Sequence, residues 1–447
     1  MRTLYNLVFV LGFLLSAPFY FFRLWRRGGW ADGFRERFGA YSSRTKQALT
    51  NRRVVWLHGV SVGEANLAIL LVQALERQWP HLKFVVSTTT TTGMGELRRK
   101  LPATVEKVYY PIDRRPWVRR AFAILHPSAV VLIEAELWPN FLWHARRRNV
   151  PVALVNARIS DRSFPRYRRF GFLFRDLFRG LAAVTTQSPR DASRLVQLGC
   201  RSESVHPVGS LKFEPPPATQ SRPVDVPRIL RHAGAPEGAP ILLAGSTHEG
   251  EEALLAGIFR RLRTRHPTLY LVLVPRHFER SRSIGGQLDR RGVRYMVRSE
   301  ITFTDAPKPG SADCLLVNST GELAQFYPHA TVVFIGKSLI GRGGQNPIEP
   351  AAAGRPIVCG PHMGNFPDIL PRFLEAEAIR QVPDPAGLEQ TLDELLSDAT
   401  ARETLGRRAR EVVSANRGAL DRTLAMIGRI LEEKGLSDYA ATSLPGR

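Results

Sequence analysis

The sequence predicts an α/β protein built from two similar nucleotide-binding-type domains, and three observations carry that reading. Short apolar runs of β character alternate with helix-like segments along the chain, the pattern of parallel sheets covered by helices. A proline-rich, patternless stretch, FEPPPATQSRPVDVP at 213–227, divides the chain. The two halves also open alike: VVWLHGVSVGEANLA and ILLAGSTHEGEEALLA each run strand, small-residue elbow, Glu, helix. A length of 447 residues suits two or three domains. The expected architecture is two such domains facing across a cleft, preceded by a hydrophobic helix.

The elements follow in order. LYNLVFVLGFLLSAPFYFF at 4–22 is uncharged and approaches the ~20 apolar residues that span a bilayer. No small-x-small cleavage site closes it convincingly, so a membrane anchor over 1–30 is expected rather than a removed signal peptide. Arg2 precedes the run and RLWRRGG follows it, which leaves the bulk of the chain in the cytoplasm. Asn6 and Pro18 interrupt the run, so a span and a shallow, interface-lying helix both stay open. The first domain is expected over 31–212, with strands at VVWLH, KFVVST, KVYYPI, AVVLIEAE, PVALVNA, AAVTTQS and SVHPVG. After the linker at 213–227 the second domain is expected over 228–435, with strands at PILLAGS, YLVLVPR, RYMVRS, CLLVNS, TVVFIGKS, PIVCGP and AIRQVP. The tail at 436–447 is expected to be disordered. Many of these strands end in small or charged residues, and open α/β sheets bind ligands outside their carboxyl ends.

The charge balance narrows the partners. Lys and Arg number 63 against 40 Asp and Glu, a net +23 that attracts anionic molecules. The segment ARISDRSFPRYRRFGFLFRDLFRG at 157–180 interleaves arginines with aromatics, as a surface facing acidic lipid does. A nucleic-acid patch has the same composition, but the neighbouring anchor favours anionic membrane lipids, and no nucleic acid partner is expected. Three scattered cysteines exclude a disulfide framework and a Cys-rich zinc site. No metal is expected, because Asp-x-Asp and metal-ligand histidine spacings are missing. No cofactor is expected either: GRGGQ lacks the dinucleotide spacing, and there is no Walker lysine loop.

The candidate chemistry begins at Glu64. Ser61-x-x-Glu64 reads as a capping box, and the same carboxylate at a strand's carboxyl end reads as a base for a hydroxyl proton. The two readings are compatible. IEAELWPN places Glu134 and Glu136 on one side of an extended chain, and the acid beside Trp favours Glu136 as functional. Lys212, just before the linker, can meet developing negative charge, although a plain surface lysine reads the same. Pro275, Arg276 and His277 leave a strand, with an arginine fork suited to phosphate. Thr320 and Gly321 offer backbone amides to an anion, with Glu322 at a helix start. In GKSLIGRGGQNPIEPAAAG, Asn346, Pro347, Ile348 and Glu349 open a helix as cap, first-turn proline and third-position acid. Its free amides suit a phosphate, and Glu349 suits two ribose hydroxyls.

In order and spacing, HGVSVGE, STTTTTG, YYPID, ELWPN, VNARIS, GSLKFE, GSTHEGEE, VPRHFER, GEL and RGGQNPIEPAAAGRPIVCGPHMGNF resemble the 3-deoxy-D-manno-octulosonic acid (Kdo) transferases of lipopolysaccharide synthesis, over about residues 25–430. The resemblance implies a GT-B fold of two Rossmann-like domains, an inner-membrane anchor, CMP-Kdo as donor and a lipid A precursor as acceptor. It implies transfer with inversion and without a metal. It makes Glu64 the general base, gives Glu136 and Lys212 roles in supporting the transition state, and puts Pro275, Arg276, Thr320–Glu322 and Asn346–Glu349 in the CMP site, with His277 in the same motif. The sequence departs from the family at Asn318-Ser319 for Asp-Thr, at Gln345 for His and at Lys337 for Gly. The lost carboxylate and gained lysine raise positive potential where the phosphate leaves. Two other readings stay open: a related GT-B transferase or epimerase with a UDP-sugar, and an inactive membrane-tethered binder of acidic lipid.

Overall fold

All fourteen expected strands form. The structure, a computed structural model, describes residues 2–26, 31–134, 137–161, 163–169, 171–214, 223–304 and 306–436. The first sheet holds β1 Val54–His58, β2 Lys83–Thr88, β3 Glu106–Tyr109, β4 Pro127–Ile133, β5 Val152–Ala157, β6 Ala183–Thr186 and β7 Val205–Pro207, in the order β3-β2-β1-β4-β5-β6-β7. The second holds β8 Ile241–Thr247, β9 Tyr270–Pro275, β10 Tyr295–Val297, β11 Cys314–Leu316, β12 Val332–Ile335, β13 Ile357–Cys359 and β14 Arg380–Gln381, in the order β10-β11-β9-β8-β12-β13-β14. All neighbouring strands run parallel. Parallel strands need helical crossovers, which cover both faces and bury the central strands, while the edge strands β10 and β14 stay partly or fully exposed.

The pleat explains the two cores of the first sheet. Val55 and Leu57 point to one side, against Leu67, Leu71 and Leu75 of the helix Val62–Gln78. Val54 and Trp56 point to the other, where Trp56 meets Phe122 and Phe141 of the helices Arg115–Leu125 and Pro139–Arg147. Asp113 anchors the second of these helices. Its buried carboxylate accepts from the amides of Asn140 (2.9 Å) and Phe141 (2.8 Å) at a helix start whose own cap residue, Trp138, makes no side-chain cap. Burial pushes the Asp113 carboxyl up to about 6.

The chain divides into two compact units, Met1–Pro217 with Arg417–Arg447 as one and Ala218–Asn416 as the other. This redraws the expected second domain of 228–435. The last helix, Ala419–Glu433, returns to unit 1, because Ile427, Ile430 and Leu431 complete the cluster holding Leu75, Trp79 and Leu82. Arg422 also bonds the carbonyl of Val208, and the amide of Leu420 donates to Glu214. The middle of the expected linker and the tail from 437 lie outside the described residues. The N-terminal helix spans Arg2–Arg26, and by length and composition it is the one described helix able to cross a membrane.

Leu431→Ala is expected to destabilise unit 1 by about 2–5 kcal/mol, the cost of deleting a fully buried leucine from a packed core. Urea denaturation followed by tryptophan fluorescence checks this. An unchanged midpoint would mean that the last helix is dispensable to the core.

Candidate active site

Near the middle of each sheet the strand order reverses, between β1 and β4 in unit 1 and between β8 and β12 in unit 2; in unit 2 it also turns back at the edge, where β11 lies inside β10. Connections at the central reversals leave to opposite faces and open a crevice at the carboxyl ends. The chemistry-bearing residues of unit 1 gather at its reversal point. β1 stops at His58, and Gly59 turns the chain so tightly that a Cβ on it would lie 2.8 Å from the Glu64 Cβ. Ser61 caps the following helix by accepting from the Glu64 amide at 3.3 Å. Its hydroxyl donates to Glu64 Oε1 at 2.8 Å, and the Val60 amide donates to Oε2 at 2.7 Å. The capping box is real. The hydroxyls of Thr88 and Thr90, from STTTTTG, both donate to the Val60 carbonyl and hold the elbow in place.

The cap does not consume the carboxylate's chemistry. Glu64 keeps 9% exposure, and burial pushes its carboxyl above the ordinary glutamate range, with the charge of Glu134 adding to the push. The bonds from Val60 and Ser61 oppose the shift. A carboxylate so placed holds a proton more readily than a free one, as a general base must.

Glu134 itself leaves β4 with φ 64°, a left-handed conformation that a glutamate adopts only where its surroundings enforce it. Its Oε1 lies 2.7 Å from Lys212 Nζ, with both side chains about a quarter exposed. Asn156, fully buried at the end of β5 and also left-handed at φ 54°, ties this corner together. Its Nδ2 faces Glu134 Oε1 at 3.4 Å, its Oδ1 accepts from the Leu211 amide at 2.9 Å, and its carbonyl accepts from Gln187 at 3.1 Å. The turn Leu211–Phe213 thereby carries Lys212 to Glu134. Glu136, the acid favoured from sequence, lies outside the described residues.

In unit 2 the expected segments follow the paired strands β9 and β11 and, on the far side of β8, β12. Pro275 is buried at the end of β9, and the Arg276 amide donates to the carbonyl of Thr247, the last residue of β8. Arg276 and His277 are exposed, and the His277 ring stands edge-on to His248, 5.7 Å between centroids. Burial lowers the His248 pKa, and Lys337 lowers it further. After β11, Thr320 and Gly321 are exposed, while Glu322 is fully engaged: Arg298 grips it through two bonds of 3.0 and 3.2 Å, and Ser319 donates at 2.7 Å. Asn318 holds the neighbouring loop through the Ser299 amide and hydroxyl, contacts that use both ends of an amide side chain. The Asn346 side chain accepts from the Ile348 amide at 3.0 Å and donates to Glu349 at 3.2 Å. The helix there is a short one, Ile348–Ala352, whose cap position is Pro347, one residue later than the expected Asn346. Burial raises the Glu349 carboxyl.

A profile of the 3-deoxy-D-manno-octulosonic-acid transferase (kdotransferase) family matches residues 32–215. The 3-deoxy-D-manno-octulosonic acid transferase of Bordetella pertussis is 35% identical over 433 residues, 93% of this chain and 97% of that one. The chain belongs to the Kdo transferase family. The Haemophilus influenzae Kdo transferase is 31% identical over 89% of this chain and 91% of its own. As a Kdo transferase the chain is an enzyme, a glycosyltransferase, and its work is Kdo transfer in lipopolysaccharide biosynthesis. Among solved structures, the UDP-GlcNAc 2-epimerase of Neisseria meningitidis aligns with TM-score 0.53 at 11% identity over 84% of this chain and 100% of its own, a likeness in GT-B fold alone.

Within this Kdo transferase, sequence reasoning passed over Asn156, Arg298 and Glu251. Glu251 had a visible signal, since it occupies in the second half the place of Glu64 in the first. It is fully buried, and its carboxylate accepts from the amides of His248, Lys337 and Leu339. Asn156 had only the run VNARIS to mark it. Among the described residues no cluster of three or more metal-ligating side chains occurs.

Asn156→Ala is expected to cost about 1–3 kcal/mol, from the orphaned Leu211 amide and from a left-handed backbone that alanine resists. Asn156→Gly, free of the backbone penalty, is expected to lose less. Equal midpoints in urea for both variants and wild type would remove Asn156 from this role.

Proposed function

We propose that this Kdo transferase moves Kdo from CMP-Kdo to a lipid A precursor with inversion at the anomeric carbon and without a metal ion. The observation that carries the reading is Glu64: a largely buried carboxylate with raised proton affinity at the reversal point of the first sheet, beside Glu134 and Lys212. Glu64 takes the proton of an acceptor hydroxyl. The oxygen's electron pair then forms the new bond to the anomeric carbon, and the bond from that carbon to the CMP phosphate breaks with its pair going to the phosphate. Lys212, with Glu136, supports the charge that develops on the sugar. Unit 2 holds the nucleotide: Arg276 and the amides of Thr320 and Gly321 serve the phosphate, Pro275 and His277 border it, and Asn346, Pro347, Ile348 and Glu349 take the ribose end. Glu322, already paired with Arg298, shapes that turn. Lys337 adds positive charge near the leaving group. The enzyme works at the cytoplasmic face of the inner membrane, attached through its N-terminal helix to anionic lipid, where its acceptor resides.

Glu64→Gln is expected to lower transfer of Kdo to a lipid A precursor, read by mass spectrometry, by about 10²–10⁴-fold with the fold intact. The wild-type kcat/KM should fall as pH drops, because a base must be ionised, and its acid limb should lie above the usual glutamate range of about 4.3. Normal transfer by the variant would reduce Glu64 to a cap. CMP should raise the melting temperature more than UDP does; the reverse order would point to a different donor. Transfer that EDTA abolishes and a divalent ion restores would contradict the metal-free reading.

A further inference from the structure

We propose that the N-terminal helix Arg2–Arg26 is a clamped interfacial helix, lying along unit 1 with its outer apolar face in the surface of an anionic bilayer, and not a membrane span. This rests on the membrane-attached reading above and specifies how the attachment is made. Length does not decide the matter: 25 residues at 1.5 Å each give roughly 37 Å, enough for a hydrocarbon core of about 30 Å. The packing does.

One side of the helix is fastened to unit 1 over its first three turns. Tyr5 Oη donates to Asp113 at 2.8 Å, and the Asn6 and Asn140 side-chain amides exchange bonds of 3.3 and 2.9 Å. Tyr5 stands edge-on to Trp143, and Phe13 edge-on to Trp117. The other end, Arg26, is six residues from Asp32, which pairs with Arg98 and Tyr109 of the same unit. Both ends of the helix therefore belong to one body. In a span, Tyr5 and Asn6 would stand across the bilayer from Asp113 and Asn140, and the buried Asp113 would lose one of its three donors.

The free side is built for lipid. Leu4, Leu7, Leu11, Leu14, Leu15 and Phe19 recur at helical spacing and are 54–84% exposed, a continuous apolar stripe. Beside it Arg2 lies 5.1 Å over the Trp143 ring, in the field of Arg115, Arg146 and Arg147. An apolar stripe rimmed by arginines and tryptophans matches the headgroup boundary of an anionic bilayer, where rings and guanidinium groups face phosphate while the leucines enter the acyl layer. A second protein would meet the apolar stripe alone and leave the basic rim without a counter-charge.

The test uses the full chain expressed in a Gram-negative host. Flotation with phosphatidylglycerol-containing vesicles is expected to recover the wild type, and Leu7→Glu with Leu11→Glu to reduce the floated fraction at least tenfold. Thr3→Cys is expected to react with an impermeant maleimide in inverted inner-membrane vesicles and not in intact spheroplasts. Asn6→Cys with Asn140→Cys is expected to cross-link within the membrane through a short bis-maleimide; the native cysteines are all buried. Labelling of Thr3→Cys from outside, or floated protein that never cross-links, overturns the clamped helix and leaves membrane attachment standing. A wild type that does not float overturns the attachment and the clamp together.

Discussion

Parallel strands whose connections part to opposite faces leave an uncovered point near the middle of each sheet, and the chemistry of this protein is organised around that constraint. At the junction of β1 and β4 it exposes the ends of two buried strands to one another. The residues that follow, Glu64 and Glu134, come close enough for the charge of one to act on the other. Lys212 balances that local excess of negative charge at 2.7 Å from Glu134. Without the reversal, crossover helices would cover these ends as they cover the faces.

The two units use one local design for different ends. Strand, elbow, Gly and Glu recur at Gly63-Glu64 and at Gly250-Glu251. In unit 2 the carboxylate is fully buried and spent on three backbone amides, which tie the loop after β8 to the loop after β12. In unit 1 one amide and one hydroxyl satisfy the corresponding group, which stays open at one side. Capping and chemistry are thus not rivals at Glu64. The cap fixes the carboxylate's direction, and the partial burial sets its proton affinity.

Unit 2 manages its charges by the same logic. Arg298 neutralises Glu322 inside the turn that presents the Thr320 and Gly321 amides, and Arg280 neutralises the buried Glu252. Arg276 and His277 stay exposed at the carboxyl edge. Paired charges build the scaffold, and the exposed Arg276 guanidinium is left available to an anion under the proposed function. Asn318, where the resemblance leads one to expect an acid, donates to a hydroxyl through its amide nitrogen, a bond an ionised carboxylate cannot make.

Periodicity and chain punctuation were enough to read all fourteen strands, the capping box at Ser61 and the doubling of the fold, because these follow from contacts between residues near in sequence. The motifs singled out Glu64, Lys212 and the unit 2 turns as candidates for the site. What sequence could not supply were the pairings made over long separations. Asn156 reaches Glu134 and Leu211, and the last helix leaves the second half of the chain to close the first core. The apolar N-terminal run was legible as membrane-seeking, but its polar interruptions at Tyr5 and Asn6 acquire meaning only beside Asp113 and Asn140. Local propensity and hydrophobic pattern determine which elements form. Which buried polar group finds which partner depends on distances that only the packed chain creates.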